Sequence, residues 1–197
     1  MAYTNRKNAS AEDSPKVAAT KKKLKEAFIT LYAEQPIEKI SIKAITDLAG
    51  LNRGTFYTYY QDVYDLLAQI EKDLYDYIII NVRYFLQTLI LDEDLDEALI
   101  VDFFKANPIY IKVLIATPGK SELREKVKGK IKGILRRVLA NRKVLQEPQE
   151  QQKREYLLEY ITSAHLGVIN HWFTNDFDLS AMEVFSFLKA TLNKICR

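Results

Sequence analysis

The sequence predicts an all-α protein with a small three-helix head and a larger helical body. Three observations lead there. Apolar residues recur at helical spacing almost throughout, and strand-like alternation is nearly absent. Gly totals only 6 and Pro only 5 in 197 residues. Charge is unevenly shared: residues 1–61 hold ten Lys/Arg against six Asp/Glu, whereas residues 62–197 hold nineteen against twenty. A basic front third on a nearly neutral body fits a head that meets a polyanion.

Residues 1–14 read as a polar, disordered tail containing Arg6 and Lys7. The first helix runs from Pro15 to about Gln35, with Ser14 as N-cap and proline at the first helical position, where its missing N–H costs nothing. Leu24, Ala27, Phe28 and Leu31 are its inner stripe, and Pro36 ends it. Ser41 caps a second helix that stops at Ala49, because Gly50 can adopt the left-handed conformation. Asn52 caps a third over about Arg53–Tyr60, with Leu51 and Phe56 placed as a hydrophobic staple.

A long fourth helix covers about Asp62–Leu91, with Val63, Leu67, Ile70, Leu74, Tyr77, Ile78, Phe85 and Leu89 as its seam. Beyond the acidic loop Asp92-Glu93-Asp94, shorter helices are expected at about 95–105 and 108–116. A basic helix follows at about 120–143, after the turn Thr117-Pro118-Gly119. Two final helices cover about 149–174 and 180–195, with Ser180 near the last cap. Their stripes, including Leu157, Ile161, Val168, Phe185, Leu188 and Leu192, read as more apolar surface than one chain can cover.

The informative segment is Ser41–Tyr60. Ala44, Ile45, Leu48 and Leu51 on one side and Phe56 and Tyr60 on the other can pack two short helices across a four-residue turn. Helical angles then turn Gly54, Tyr57, Thr58 and Gln61 outward, with Thr55 on the flank. An outer face without a carboxylate suits close approach to a phosphate backbone. Arg53 in the first turn can reach a guanine edge or a phosphate, and the helix N-terminus offers N–H donors. The same pattern also fits a plain helical hairpin inside a bundle.

The run Glu38–Ile45, then Ala49–Asp62, then Asp65-Leu66-Leu67, resembles the DNA-binding domain of the TetR/AcrR family. The likeness is dense over about residues 20–67. It implies an N-terminal helix-turn-helix domain over 15–61, followed over 62–197 by a larger helical ligand-binding and dimerisation domain. It also implies a homodimeric repressor that leaves a double-stranded DNA operator when a small-molecule effector binds. Carried across, it places Lys43, Arg53, Gly54, Thr55, Tyr57, Thr58 and Tyr59 at DNA contacts and Phe56 and Tyr60 in the core. One position departs. Where many members carry lysine at the start of the fourth helix, this chain has Val63 after Asp62; Lys21, Lys22, Lys23 or Arg6-Lys7 are the basic residues available instead. Gly167, Trp172, an Asn-Asp turn and Ser180-Ala181-Met182-Glu183 resemble the last two helices of many members, which form the dimer's four-helix bundle.

Tyr77, Asn81, Phe85, Phe104, Tyr110, His165 and Trp172 are the candidate lining of an effector pocket, with Arg83 a further polar candidate. For each aromatic the competing reading is ordinary core. No cofactor and no metal are expected. His165 and His171 lie six apart, about 240° around a helix, and cannot share a ligand face. The basic helix reads as a solvated face. Catalysis finds no support: there is no glycine-rich phosphate loop and no placed nucleophile. The lone cysteine, Cys196, and the lack of an apolar run of membrane-spanning length point to a cytoplasmic protein away from any membrane. The alternative function is a DNA-bound adaptor or structural protein on the same fold, whose C-terminal domain binds a protein partner.

Overall fold

The structure, a computed structural model, describes residues 14–91, 108–117, 122–139, 151–175 and 177–195. Every regular element among them is helical. The chain divides into two compact units, one ending at Ala68 and the other beginning at Gln69.

In the first unit α1 spans Pro15–Glu34, α2 Ile42–Ala49 and α3 Arg53–Tyr59. Ser14, Ser41 and Asn52 each turn a side-chain oxygen onto a first-turn N–H, that of Val17, Ala44 and Thr55 respectively. Each cap satisfies a donor that the helix leaves without a partner. Gly50 sits at φ 65° and ψ 37°. Its N–H reaches the Asp47 carbonyl at 3.2 Å and the Leu51 N–H reaches that of Thr46 at 2.9 Å, the paired bonds of a Schellman stop. A Cβ at Gly50 would meet nothing, so glycine is required here by the backbone angle alone.

Leu24, Phe28, Ile29, Ile45, Phe56 and Leu66 are sealed from solvent and form the unit's core. Three expected stripes shift. On α1, Ile29 and Tyr32 are buried while Leu31 is only half so. On α2, Leu48 is 54% exposed and Thr46 is buried in its place, its hydroxyl returned to the carbonyls of Ile42 and Lys43. That back-bond removes the cost of burying a hydroxyl. At the start of α4 (Val63–Leu91), Leu66 is sealed and Leu67 half-buried. Asp62 caps this helix through the N–H groups of Tyr64 and Asp65, both at 2.8 Å.

The second unit holds the rest of α4, with Ile70, Leu74, Ile78, Ile79 and Phe85 buried. α5 is one turn, Pro108–Ile111, continuing into a π-helical turn at Lys112–Ala116. α6 spans Leu123–Leu139, α7 Gln151–Thr174 and α8 Ala181–Ile195. The expected helix at 95–105, with Phe104, lies outside the described residues.

Ile134, Leu135, Leu158, Ile161 and Leu192 form one buried cluster that draws in Val82, Ile131, Leu157 and Ile195. Four residues expected on the outer stripes of the last two helices, Ile161, Phe185, Leu188 and Leu192, are therefore interior. The apolar groups left outside on that pair are Tyr156, Tyr160 and Phe187, with Phe177 and Leu179 in the turn between. α6 is held to α7 by ions: Lys128 and Lys132 meet Glu159, and Arg136 grips Glu155 with two bonds of 2.9 and 3.0 Å. The basic face of α6 is thus partly spent within the unit.

Candidate nucleic-acid interface and apolar cavity

The outer face of α3 follows from where its two anchors point. Phe56 is sealed and Tyr60 is 4% exposed, their rings 5.6 Å apart. This leaves Arg53, Gly54, Tyr57 and Thr58 exposed, with Thr55 and Tyr59 half-buried on the flanks. Asn52 Oδ1 accepts from both the N–H and the hydroxyl of Thr55, at 2.8 and 2.9 Å, so the threonine that borders the face is fixed. Thr58 donates to the Gly54 carbonyl at 3.0 Å. A Cβ at position 54 would meet Asn52 Oδ1 at 3.4 Å, about ordinary contact distance, and glycine keeps the surface low beside the cap. Tyr57 stands out, 59% exposed, its ring edge-on to Phe56.

Charge around this face is positive but not all of it is loose. The Lys21 ammonium lies 5.6 Å from the centre of the Tyr59 ring, a cation–π contact that ties α1 to α3. Lys43 is held 2.6 Å from Asp47 one turn on, with both side chains well exposed. Arg53 has no partner among the described residues. Of the seven residues expected at DNA, six therefore sit together on α3 and Lys43 lies on α2, bound to a carboxylate. The sequence reasoning missed the Asp47 partner, although the i, i+4 spacing carried the signal.

The second unit holds a half-open apolar cavity of about 140 Å³. Its walls come from α4 (Ile78, Val82, Phe85), the α5 and π turns (Ile111, Ile115), α6, α7 and α8. Of the expected pocket residues, Phe85 and His165 line it. Four others do not. Asn81 turns its amide onto the Tyr77 carbonyl at 2.8 Å, inside its own helix. Tyr110 lies on α5 away from the lining. Trp172 is a fastener of the α7–α8 turn: its Nε1 donates to the Leu179 carbonyl at 2.8 Å, and its ring meets Phe177 edge-on at 5.0 Å. Phe177 holds φ 60° there, a left-handed angle that aromatic packing and the Phe177 N–H bond to Trp172 offset. Tyr77 is half-buried and also outside the lining. Sequence reasoning did not reach Ile111, Ile115 or Leu188, since an aliphatic wall looks like any core.

No cluster of three or more His, Cys, Asp or Glu residues that could hold a metal occurs among the described residues. None of their helices is long and apolar enough to cross a membrane.

Residues 98–194 match TetR_C_8, a family described as the transcriptional regulator C-terminal region. No curated protein sequence matches the chain. Among solved structures, the dihydroxyacetone kinase operon activator DhaS superposes with a TM-score of 0.51 at 17% identity, covering 90% of this chain and 96% of that one. The fatty acid degradation regulator FadR from Bacillus halodurans superposes with a TM-score of 0.50 at 16% identity, covering 92% and 96%. Both likenesses show the fold.

Proposed function

We propose that the chain is a transcriptional regulator of the TetR family, a homodimeric, cytoplasmic repressor released from a palindromic DNA operator by a small-molecule effector; the match of residues 98–194 to a regulator C-terminal region supports this reading. The observation that carries this reading is the α3 face: Arg53, Gly54, Tyr57 and Thr58 stand exposed with no carboxylate among them, on a helix locked by Asn52 and Phe56. Arg53 and Tyr57 read base edges in the major groove, while Lys43, Thr55, Thr58 and Tyr59 position the helix against phosphates.

Two α3 copies are needed to grip one operator. The face of α7 and α8 bearing Tyr156, Tyr160, Gly167 and Phe187 supports pairing with a second copy, since it is apolar and exposed. The effector enters the cavity against Ile78, Val82 and Phe85 of α4. The same unbroken helix follows α3 with three residues between them, so a shift at the cavity is carried along it. Only one arrangement of two reading helices matches a fixed half-site spacing.

Sequencing the fragments that the full chain selects from a random DNA pool tests the reading. An imperfect palindrome with half-sites about one helical turn apart is expected. Fragments with no shared sequence overturn it. A reporter driven through the selected site then gives the sign of regulation, since one structural neighbour is an activator.

The adaptor reading rests on the same exposed aromatic face. A chain that stays monomeric in solution while binding its DNA leaves that face for a different protein.

A further inference from the structure

The cavity of the second unit is specific in what it lacks. Among the seventeen described residues that line it there is no Asp, Glu, Lys, Arg, Asn or Gln. Only Thr162 and His165 carry polar side-chain atoms, and Thr162 has spent its hydroxyl on the Leu158 carbonyl at 2.7 Å. An ion entering this space would lose its hydration and meet no counter-charge, a cost no apolar contact can match. The occupant is therefore neutral.

Size sets a second bound. A cavity of about 140 Å³ is close to the roughly 150 Å³ apolar cavity, lined by Leu, Ile and Phe, that stays dry and takes benzene. It falls well below the several hundred Å³ of a drug-sized pocket. The space suits one six-membered ring with few substituents.

Among these residues His165 carries the buried polar atom that is left without a partner. Its Nδ1 lies 2.7 Å from the Ile161 carbonyl, a distance that puts the proton on Nδ1. Nε2 of the neutral ring is then an acceptor, and it is buried with no hydrogen-bond partner among the described residues. The Leu188 carbonyl that also faces the ring is an acceptor too and cannot satisfy it. Burial, the dominant influence on this imidazole, pushes its pKa down and keeps the ring neutral. A buried acceptor without a donor is costly, and a ligand hydroxyl would relieve it.

We propose that the cavity binds a neutral single-ring molecule carrying one hydroxyl, a simple phenol in chemical class, with the hydroxyl donating to His165 Nε2 and the ring packed between α4, α6 and α8. This rests on the reading that the C-terminal unit takes a small effector, and it names the class of that effector.

Titration calorimetry on the full chain at neutral pH, without DNA, tests it with phenol, toluene and benzoate as probes. Phenol should bind at millimolar concentration, about 3–10-fold tighter than toluene, the worth of one net hydrogen bond. Benzoate should give no heat of binding. His165→Phe keeps a ring of similar shape and should erase the preference for phenol while toluene still binds. Val82→Phe projects into the cavity from α4 and should abolish binding of both, with an unchanged helical spectrum showing that the chain is folded. Toluene binding at least as tightly as phenol, benzoate binding as tightly as phenol, or neither neutral probe binding overturns the proposal. Release of operator DNA is read separately. Phenol that binds but leaves DNA affinity unchanged removes induction from the functional reading and leaves the site assignment standing. DNA release by another molecule, with phenol silent, does the reverse.

Discussion

A lysine and an aspartate one turn apart, Lys43 and Asp47, form an ion pair beside the proposed reading helix. Lys43 and Asp47 are both mostly exposed, so their bond is worth only about 0.3–0.5 kcal/mol and is within reach of competition by a phosphate. Asp47→Asn should therefore raise DNA affinity by about twofold at low salt, because Lys43 no longer has to leave a partner. Lys43→Ala should lower the slope of log affinity against log salt by about one, uniformly across sequences. Arg53 has no such competitor among the described residues, and Arg53→Ala should cost about 1–3 kcal/mol and relax preference at one or two base positions. Equilibrium binding to selected and scrambled duplexes over a salt series separates the three effects. If Arg53→Ala leaves sequence preference intact, the bases are read from elsewhere. Most of this surface was legible beforehand, because the period of an eight-residue helix and a left-handed glycine leave few choices for which residues face out. Leu48 escaped that logic: a short helix buried on one side needs only two inward positions, and Thr46 could fill one by satisfying its own hydroxyl.

At the level of elements, the contact between α6 and α7 is written in charge. Lys128, Lys132 and the Ser163 hydroxyl together hold the Glu159 carboxyl down to about 2, against an ordinary value near 4.5. Glu155 is lowered in the same direction, chiefly by its bonds to Arg136. A carboxylate whose folded pKa is depressed adds stability above its unfolded pKa and loses it as protons return. The melting temperature should therefore decline as pH drops from about 4.5 toward 2, and Glu159→Gln should flatten that decline while lowering stability at pH 7. Thermal denaturation of both chains across that range measures it; parallel curves would remove the ladder from the account. The basic helix had been read as a solvated face, and the reason it is not wholly so lies outside the helix itself. Its cations match acids at Glu155 and Glu159, some twenty to thirty residues further on, and no local period reveals a pairing across two helices.

The whole molecule must solve one problem that sequence pattern leaves ambiguous: which apolar stripe meets its own chain and which meets another. Leu, Ile and Phe serve either purpose, so Ile161, Phe185, Leu188 and Leu192 could be placed on the right helices and assigned to the wrong side. Tyr156, at 79% exposure, and Tyr160 and Phe187, above half, mark the face that remains. Placing a charge there tests its use. Phe187→Asp should yield monomers by sedimentation, and these should lose operator affinity at physiological salt although α3 is untouched. A charged variant that still sediments as a dimer moves the interface elsewhere. Stability is also spread unevenly over a molecule built this way. The seven residues of α3 are too few to persist as an isolated helix, and Asn52, Phe56, Tyr60 and the Lys21–Tyr59 contact hold them in shape. The proposed reading surface should thus open and close many times while the α4–α7–α8 core stays shut. In deuterated water its amides should exchange among the earliest of the structured residues, and a bound duplex should slow them by more than it slows any other part of the chain.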